Sequence, residues 1–284
     1  MIEIKEISFS YGRKSVFNNV TLNLNEGKIY GLLGQNGVGK STLLKILSGL
    51  IKIKSGECIV NGEIPYKRHP AFLENIYYLP EDFVGPAISI EDYAKETGKF
   101  YPKFSMDKFK SICERFEVEA KSRFTKLSYG QQKKAVIALA MSLNTKVLLM
   151  DEPSNGLDIP SKINLRRIIS ENATDEQIII ISTHQVRDLE NLIDPIIILD
   201  KDGVILNNSL YEISQKLNFS IEPAKVNGAL YCEPAFNGFS TVTLNNDNSE
   251  TQVDLEALFN CALTNKATLK SLFDKNRIVG ELEC

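Results

Sequence analysis

Hydrophobic and polar positions change rhythm several times along this chain. Residues 2–33 alternate in short runs, as in Ile2-Glu3-Ile4-Lys5-Glu6-Ile7, which predicts an edge strand followed by further strands with turns at Gly12 and Asn25-Glu26-Gly27. Gly56–Ile64 predicts another hairpin, with Asn61-Gly62 as its turn. From about Ser89 the period becomes helical. Phe109, Ile112, Cys113 and Phe116 form one apolar stripe and Ala135, Val136, Leu139, Ala140 and Leu143 another, and the stretch to Leu143 reads as a helical subdomain.

Other runs are apolar without alternation. Ile29–Leu33 predicts a strand feeding a helix over Leu43–Leu50. Lys146–Met150 has no internal charge, which suits a strand covered on both faces of a parallel sheet. Ile178–Ser182 predicts its neighbour, followed by a strand Pro195–Leu199, a turn at Asp200–Gly203, another strand and a helix near Ser209–Leu217. In the tail, Leu230–Glu233 and Phe239–Leu244 predict strands. Asp254 predicts the cap of a helix with Leu255, Leu258, Phe259, Ala262 and Leu263 on one face. The tail over 218–284 reads as a small α+β appendix for packing or dimer stabilisation, with regulation as the alternative.

Two places along this frame carry phosphate chemistry. Gly34-Gln35-Asn36-Gly37-Val38-Gly39-Lys40-Ser41-Thr42 matches G-x-x-x-x-G-K-[ST] between a predicted strand and a predicted helix. Its glycines let backbone N–H groups form a nest for phosphate oxygens at a helix N-terminus. Lys40 adds a positive charge for the β- and γ-phosphates, and the Ser41 hydroxyl can ligate Mg²⁺. The apolar run ending in Met150 stops at Asp151-Glu152. Paired acids there need compensation; in phosphate-loop enzymes the first holds Mg²⁺, which assigns Asp151 to the metal. Glu152 is then placed to orient or deprotonate an attacking water. The pair predicts hydrolysis of a nucleoside triphosphate rather than its storage.

Leu127-Ser128-Tyr129-Gly130-Gln131 opens the helix that precedes the acidic strand. With it the chain resembles the ATP-binding-cassette ATPases, over about Ile2 to Leu217, through its L-S-x-G-Q signature. The resemblance implies an α/β fold: an antiparallel β subdomain, a parallel-sheet P-loop core and a helical subdomain about 86–145, within an ATPase domain over 1–217. It implies that Tyr11 stacks on adenine, that Ser154-Asn155-Gly156-Leu157-Asp158 forms the D-loop, and that His184 bonds to the γ-phosphate and its water network. It also implies a head-to-tail dimer in which Ser128, Gly130 and Gln131 cover the ATP of a second cassette, with Asp158 beside them. That partner is another copy or a relative, because the chain has a single phosphate loop and a single signature. Glu81 stands where the family has a glutamine touching Mg²⁺ and water. A carboxylate can still ligate the metal but adds negative charge near the γ-phosphate. His69 reads as a surface residue.

Composition narrows the partners. At 284 residues the chain suggests a main domain plus a smaller one. Its 43% hydrophobic and 24% charged content is that of a soluble globular protein, and a net charge of −3 argues against a nucleic-acid surface. Cys58, Cys113, Cys232, Cys261 and Cys284 are odd in number and scattered, which predicts neither zinc nor a disulfide frame. The start lacks a signal-peptide pattern, and the apolar runs fall short of the roughly 20 residues a spanning helix needs.

A transmembrane permease would therefore be a separate chain. Tyr101-Pro102-Lys103-Phe104 and Val253–Phe259 look similar to cassettes of small exporters with separate permeases. The expected role is the ATP-hydrolysing subunit of an exporter, cytoplasmic and peripheral on the inner membrane face. The competing class is a soluble ABC ATPase of translation, repair or iron–sulfur assembly. Translation types usually carry two cassettes and a charged linker, repair types a long coiled-coil insertion, and neither appears here.

Overall fold

A computed structural model describes residues 1–246 and 251–273. In chain order it contains β1 (Ile2–Tyr11), β2 (Lys14–Leu24), β3 (Lys28–Leu33), α1 (Lys40–Leu47), β4 (Ser55–Val60), α2 (Pro70–Leu73), β5 (Ile76–Leu79), α3 (Ile90–Gly98), α4 (Met106–Arg115) and α5 (Tyr129–Ser142). These are followed by β6 (Val147–Asp151), α6 (Ile159–Asn172), β7 (Ile178–Thr183), β8 (Ile196–Asp200), β9 (Gly203–Asn208), α7 (Leu210–Lys216), β10 (Leu217–Glu222), β11 (Tyr231–Ala235), β12 (Gly238–Leu244), α8 (Leu255–Thr264) and α9 (Lys266–Phe273).

The central sheet runs β5-β6-β7-β3-β8-β9, parallel except for the β8–β9 pair. Its continuous apolar runs have a simple cause: successive side chains enter different cores. Val147, Leu149, Ile178 and Ile180 face one cluster, with α1 and the antiparallel sheet β2-β1-β4. Leu148, Met150, Ile179 and Ile181 face the other, with α4, α5 and α6. The sheet order brings the C-terminal ends of β6, β7 and β3 side by side, where ligands bind in such sheets.

Three predicted details change. Ile2–Ile7 belongs to a strand in the middle of its sheet, because β1 pairs with β2 through Ile2–Leu24 and with β4 through Ile2–Val60. Gly56–Ile64 does not close as a hairpin. Its first half is β4, while Asn61 and Gly62, both at positive φ, make a tight turn joined only by a Val60–Glu63 bridge. The helix after the phosphate loop also starts earlier than its apolar pattern, at Lys40.

The tail forms a third sheet, β10-β12-β11, with α8 laid across it. Asp254 caps α8, accepting from the N–H groups of Glu256 at 2.9 Å and Ala257 at 3.0 Å. Leu255, Leu258 and Cys261 join the same buried cluster as Ile196 and Ile198, so the tail shares a core with the central sheet. Lys266 pairs with the buried Asp200, and Arg187 with Glu256 at 2.5 Å. The thiols of Cys58, Cys113, Cys232 and Cys261 are free, and Cys284 lies outside the described residues.

Candidate functional site

The loop between β3 and α1 folds around two glycines that admit no side chain. A Cβ on Gly39, at φ 114, would lie 2.8 Å from the Phe17 ring and from Val16; one on Gly34 would lie 2.7 Å from the Leu199 carbonyl oxygen. Gly39 is the N-cap of α1 and gives that helix no side-chain cap. Helices α3 to α8 are all capped by Ser or Asp oxygens. The start of α1 thus keeps its N–H groups and positive dipole end available to an anion. Val38 is buried in the apolar cluster around α1 and is not among the residues that line the cleft.

Lys40 reaches back over this loop. Its Nζ donates to the Gly34 carbonyl at 2.8 Å and to the Gln35 carbonyl at 3.5 Å, and stands 3.6 Å from Glu152 Oε1. Asp151 and Glu152 leave the end of β6 in different ways. Asp151 is buried behind the cleft; Ser182 Oγ donates to its Oδ1 at 2.5 Å and the Tyr78 hydroxyl to its Oδ2 at 3.1 Å. The Asp151–Ser182 register of β6 and β7 makes the first contact, and β5 supplies the second. Burial pushes the Tyr78 hydroxyl above its usual range, with the Asp151 charge adding to it.

Glu152 breaks the strand's alternation. Its backbone lies in the left-handed region at φ 46, a conformation that costs about 1–3 kcal/mol for such a residue. Its N–H donates to the Ser182 carbonyl at 3.1 Å. The turn brings the 4%-exposed carboxylate beside His184, whose Nδ1 is 2.9 Å from Oε1 and whose backbone N–H donates to Oε2 at 3.4 Å. A carboxylate so held beside an ammonium, an imidazole and an anion nest can accept a proton from water next to a bound phosphate.

These groups line one cleft of about 440 Å³: Asn36, Gly37, Gly39, Lys40, Ser41 and Thr42 from the loop, with Tyr11, Glu81, Glu152 and His184. Tyr11 is 50% exposed at its rim, edge-on to Phe9. The donor set fits Mg²⁺ with phosphate. Ser41 supplies a hydroxyl within the cleft, and Asp151, its oxygens already accepting two bonds, is suited to holding the ion through water. Among the described residues no cluster of three or more His, Cys, Asp or Glu forms a metal cage, so phosphate and water would complete the shell.

Other predicted residues lie outside this cleft. Ser128 and Gln131 form a capping box at α5: Ser128 Oγ accepts from Gln131 N–H at 3.3 Å, and Gln131 Oε1 from Ser128 N–H at 3.0 Å. Ser128 Oγ keeps its own O–H to donate. Gly130 packs against the backbone of Gly156, and Asp158 caps α6 through Ser161 N–H at 2.9 Å; hydrogen bonding from the Ser161 side chain, and then from its backbone, holds the Asp158 carboxyl below the usual range.

Tyr78, Ser182 and Lys133 contact the site residues without having been read as functional from sequence, and Asn155, which the resemblance places in the D-loop, contacts them as well. Asn155 Nδ2 donates to Glu81 Oε1 at 2.8 Å, and Lys133 Nζ to the Glu81 carbonyl at 2.5 Å. Burial draws the Lys133 ammonium below the usual lysine range, while Glu81, Asp151, Asp82 and Glu152 oppose that in this order. A lysine on the stripe that contains Val136 and Ala140 was the available signal.

Comparison with known proteins bears on this geometry. The profile described as "ABC transporter" matches residues 17–155. The chain is similar to the ABC transporter ATP-binding protein YtrB of Bacillus subtilis, 28% identical over 215 residues, covering 75% of this chain and 71% of that one. It is similar to the lantibiotic transport ATP-binding protein SrtF of Streptococcus pyogenes, 30% identical over 225 residues, covering 76% and 94% respectively. Among solved structures, an ATP-binding subunit of an ABC transporter matches with a TM-score of 0.69 and 25% identity, covering 75% of this chain and 91% of that one.

Proposed function

This chain belongs to the ABC transporter family as an ATPase subunit, and on that premise we propose that it drives an exporter whose membrane-spanning chains are separate polypeptides. The observation that carries the reading is Glu152, held between Lys40 and His184 at the mouth of an uncapped helix start. In this reading the backbone of residues 34–42 and Lys40 grip the β- and γ-phosphates. Tyr11 stacks on the base. Ser41 and, through water, Asp151 would hold Mg²⁺, which when bound would supply positive charge to offset that of the phosphates. Glu152 takes the proton of the attacking water, and His184 fixes the Glu152 carboxylate and donates toward the γ-phosphate. Glu81 lines the same cleft, from where it would reach water or metal.

The signature residues act on a second cassette. Ser128, Gly130 and Gln131 sit outside their own cleft on a helix start, so a head-to-tail partner, identical or related, would receive that N-terminus against its γ-phosphate. Asp158 flanks the same junction. Closure on ATP and reopening after hydrolysis is then a ligand-driven shift between two dimer states.

The membrane partner would dock on the groove between the central sheet and the helical subdomain. This groove, of about 790 Å³, is lined by Tyr77, Tyr93, Tyr101 and Phe100, the last 74% exposed. Exposed aromatic surface of this kind marks protein contact. The described helices include none long and apolar enough to cross a membrane. The resulting location is the inner membrane face, peripheral through the permease. The transport name of SrtF supports the transport reading.

The test is co-purification. A tagged chain expressed in its own host and solubilised in mild detergent should retain a multi-span membrane protein, identified by mass spectrometry, and release it when the groove is altered by Phe100→Glu. Full ATPase activity with no membrane protein retained would reject the exporter-subunit reading in favour of a soluble cassette.

A further inference from the structure

Lys133 is charged, 1% exposed and unused by the mechanism above. It lies one helical turn after Tyr129 on α5, so the two side chains leave the same face. Both end on one atom: the Glu81 carbonyl oxygen accepts from Lys133 Nζ at 2.5 Å and from the Tyr129 hydroxyl at 3.1 Å. Gln132 Oε1, between them, accepts from the Gly85 N–H at 3.2 Å. A Cβ on Gly85 would run into Phe124, so the loop has no slack on that side. The segment 81–85 is therefore held at both ends by the first turns of the signature helix.

The side chain of Glu81 points the other way, into the catalytic loops. Its Oε1 accepts from Asn155 Nδ2 at 2.8 Å, and Asn155 Oδ1 accepts from Gln185 Nε2 at 3.4 Å. Those residues follow Glu152 and His184, respectively. A buried ammonium is unfavourable unless nearby charge and hydrogen bonds offset its desolvation. For Lys133 that charge comes first from Glu81, then from Asp151, Asp82 and Glu152. Conversely, without Lys133 the Glu81 carboxylate would share the region with three other acids and the incoming phosphates.

We propose that Lys133 is a positioning residue of the ATPase: it fixes the Glu81 backbone under the signature helix and balances the Glu81 carboxylate, thereby setting where Glu81 stands against Asn155 and the phosphate cleft. The proposal rests on the ATPase reading of the cleft. It predicts that losing Lys133 is damaging chiefly when residue 81 is charged.

A double-mutant comparison on the purified full-length chain tests this. Lys133→Met should lower kcat about tenfold while KM for ATP stays within about twofold; in a Glu81→Gln background the same change should lower kcat by no more than about threefold. Equal losses in the two backgrounds would reduce Lys133 to a packing residue and overturn the proposal. Amide hydrogen exchange without nucleotide gives a readout independent of turnover. Residues 81–85 should exchange about tenfold faster in Lys133→Met, and unchanged exchange would overturn the anchoring role. If the unmutated chain hydrolyses no ATP, the ATPase reading fails, yet exchange still decides whether Lys133 holds the loop. Should Lys133→Met not fold, Lys133→Gln, which keeps a donor and removes the charge, replaces it in the kinetic comparison.

Discussion

His184 Nδ1 lies 2.9 Å from Glu152 Oε1, joining the residues that follow two neighbouring parallel strands. The contact holds a carboxylate that the backbone has already turned out of its strand at φ 46. The same oxygen is 3.6 Å from Lys40 Nζ. Glu152, His184 and Lys40 are thus brought together by the fold itself, which in the proposed mechanism limits the reorganisation left for the reaction.

Glu152→Gln should retain ATP binding and slow hydrolysis by about 10²-fold or more, because the amide keeps the shape and loses the proton acceptor. Since hydrolysis no longer reopens it, an ATP-bound dimer should accumulate on a sizing column. Turnover near that of the unmutated chain would remove Glu152 from the role of base.

Lys40→Ala should abolish ATP binding in calorimetry. The lysine is the buried cation of the phosphate loop, and its loss leaves the nest with backbone dipoles alone. Retained affinity would show that the triphosphate does not sit on this loop.

Glu81→Gln should be tolerated or mildly activating in steady-state ATPase assays. A glutamine Oε1 can still accept from Asn155 Nδ2, and the substitution removes a negative charge from the cleft. Loss of Mg²⁺-dependent turnover would instead identify the carboxylate as an essential ligand.

The composite site predicts complementation. Ser128→Arg and Lys40→Ala chains should each be inactive alone, one blocking the signature side and the other losing the loop side. Mixed dimers would contain one site with both parts intact, so mixing should restore activity to at most about half the sites in half of the dimers under random pairing. Full activity of the Ser128→Arg chain by itself would show that no signature acts in trans.

Asp254→Ala should destabilise the tail by about 1 kcal/mol, the usual value of an N-cap, because two N–H groups of α8 lose their acceptor. A lowered thermal midpoint with unchanged basal ATPase activity would assign Asp254 to packing. An unchanged midpoint would show that α8 does not need its cap.

The phosphate loop, the acidic strand end and the signature were legible in the sequence because each is built from consecutive residues. A nest, a strand terminus and a helix start are made by local backbone geometry, so spacing alone reveals them. The unalternating runs also announced strands with two covered faces. Alternation in Ile2–Ile7 reported one buried face but said nothing about partners at the strand's edges, and β1 lies between two neighbours. Only the tertiary structure decided which groups surround the two acids. Ser182 and Tyr78 reach Asp151 across 31 and 73 residues, and Lys133 and Asn155 reach Glu81 across 52 and 74. Such pairs depend on the order β5-β6-β7 in the sheet and on the seating of α5 against the loop after β5. Both follow from how the chain as a whole buries its apolar faces, a property that no local pattern contains.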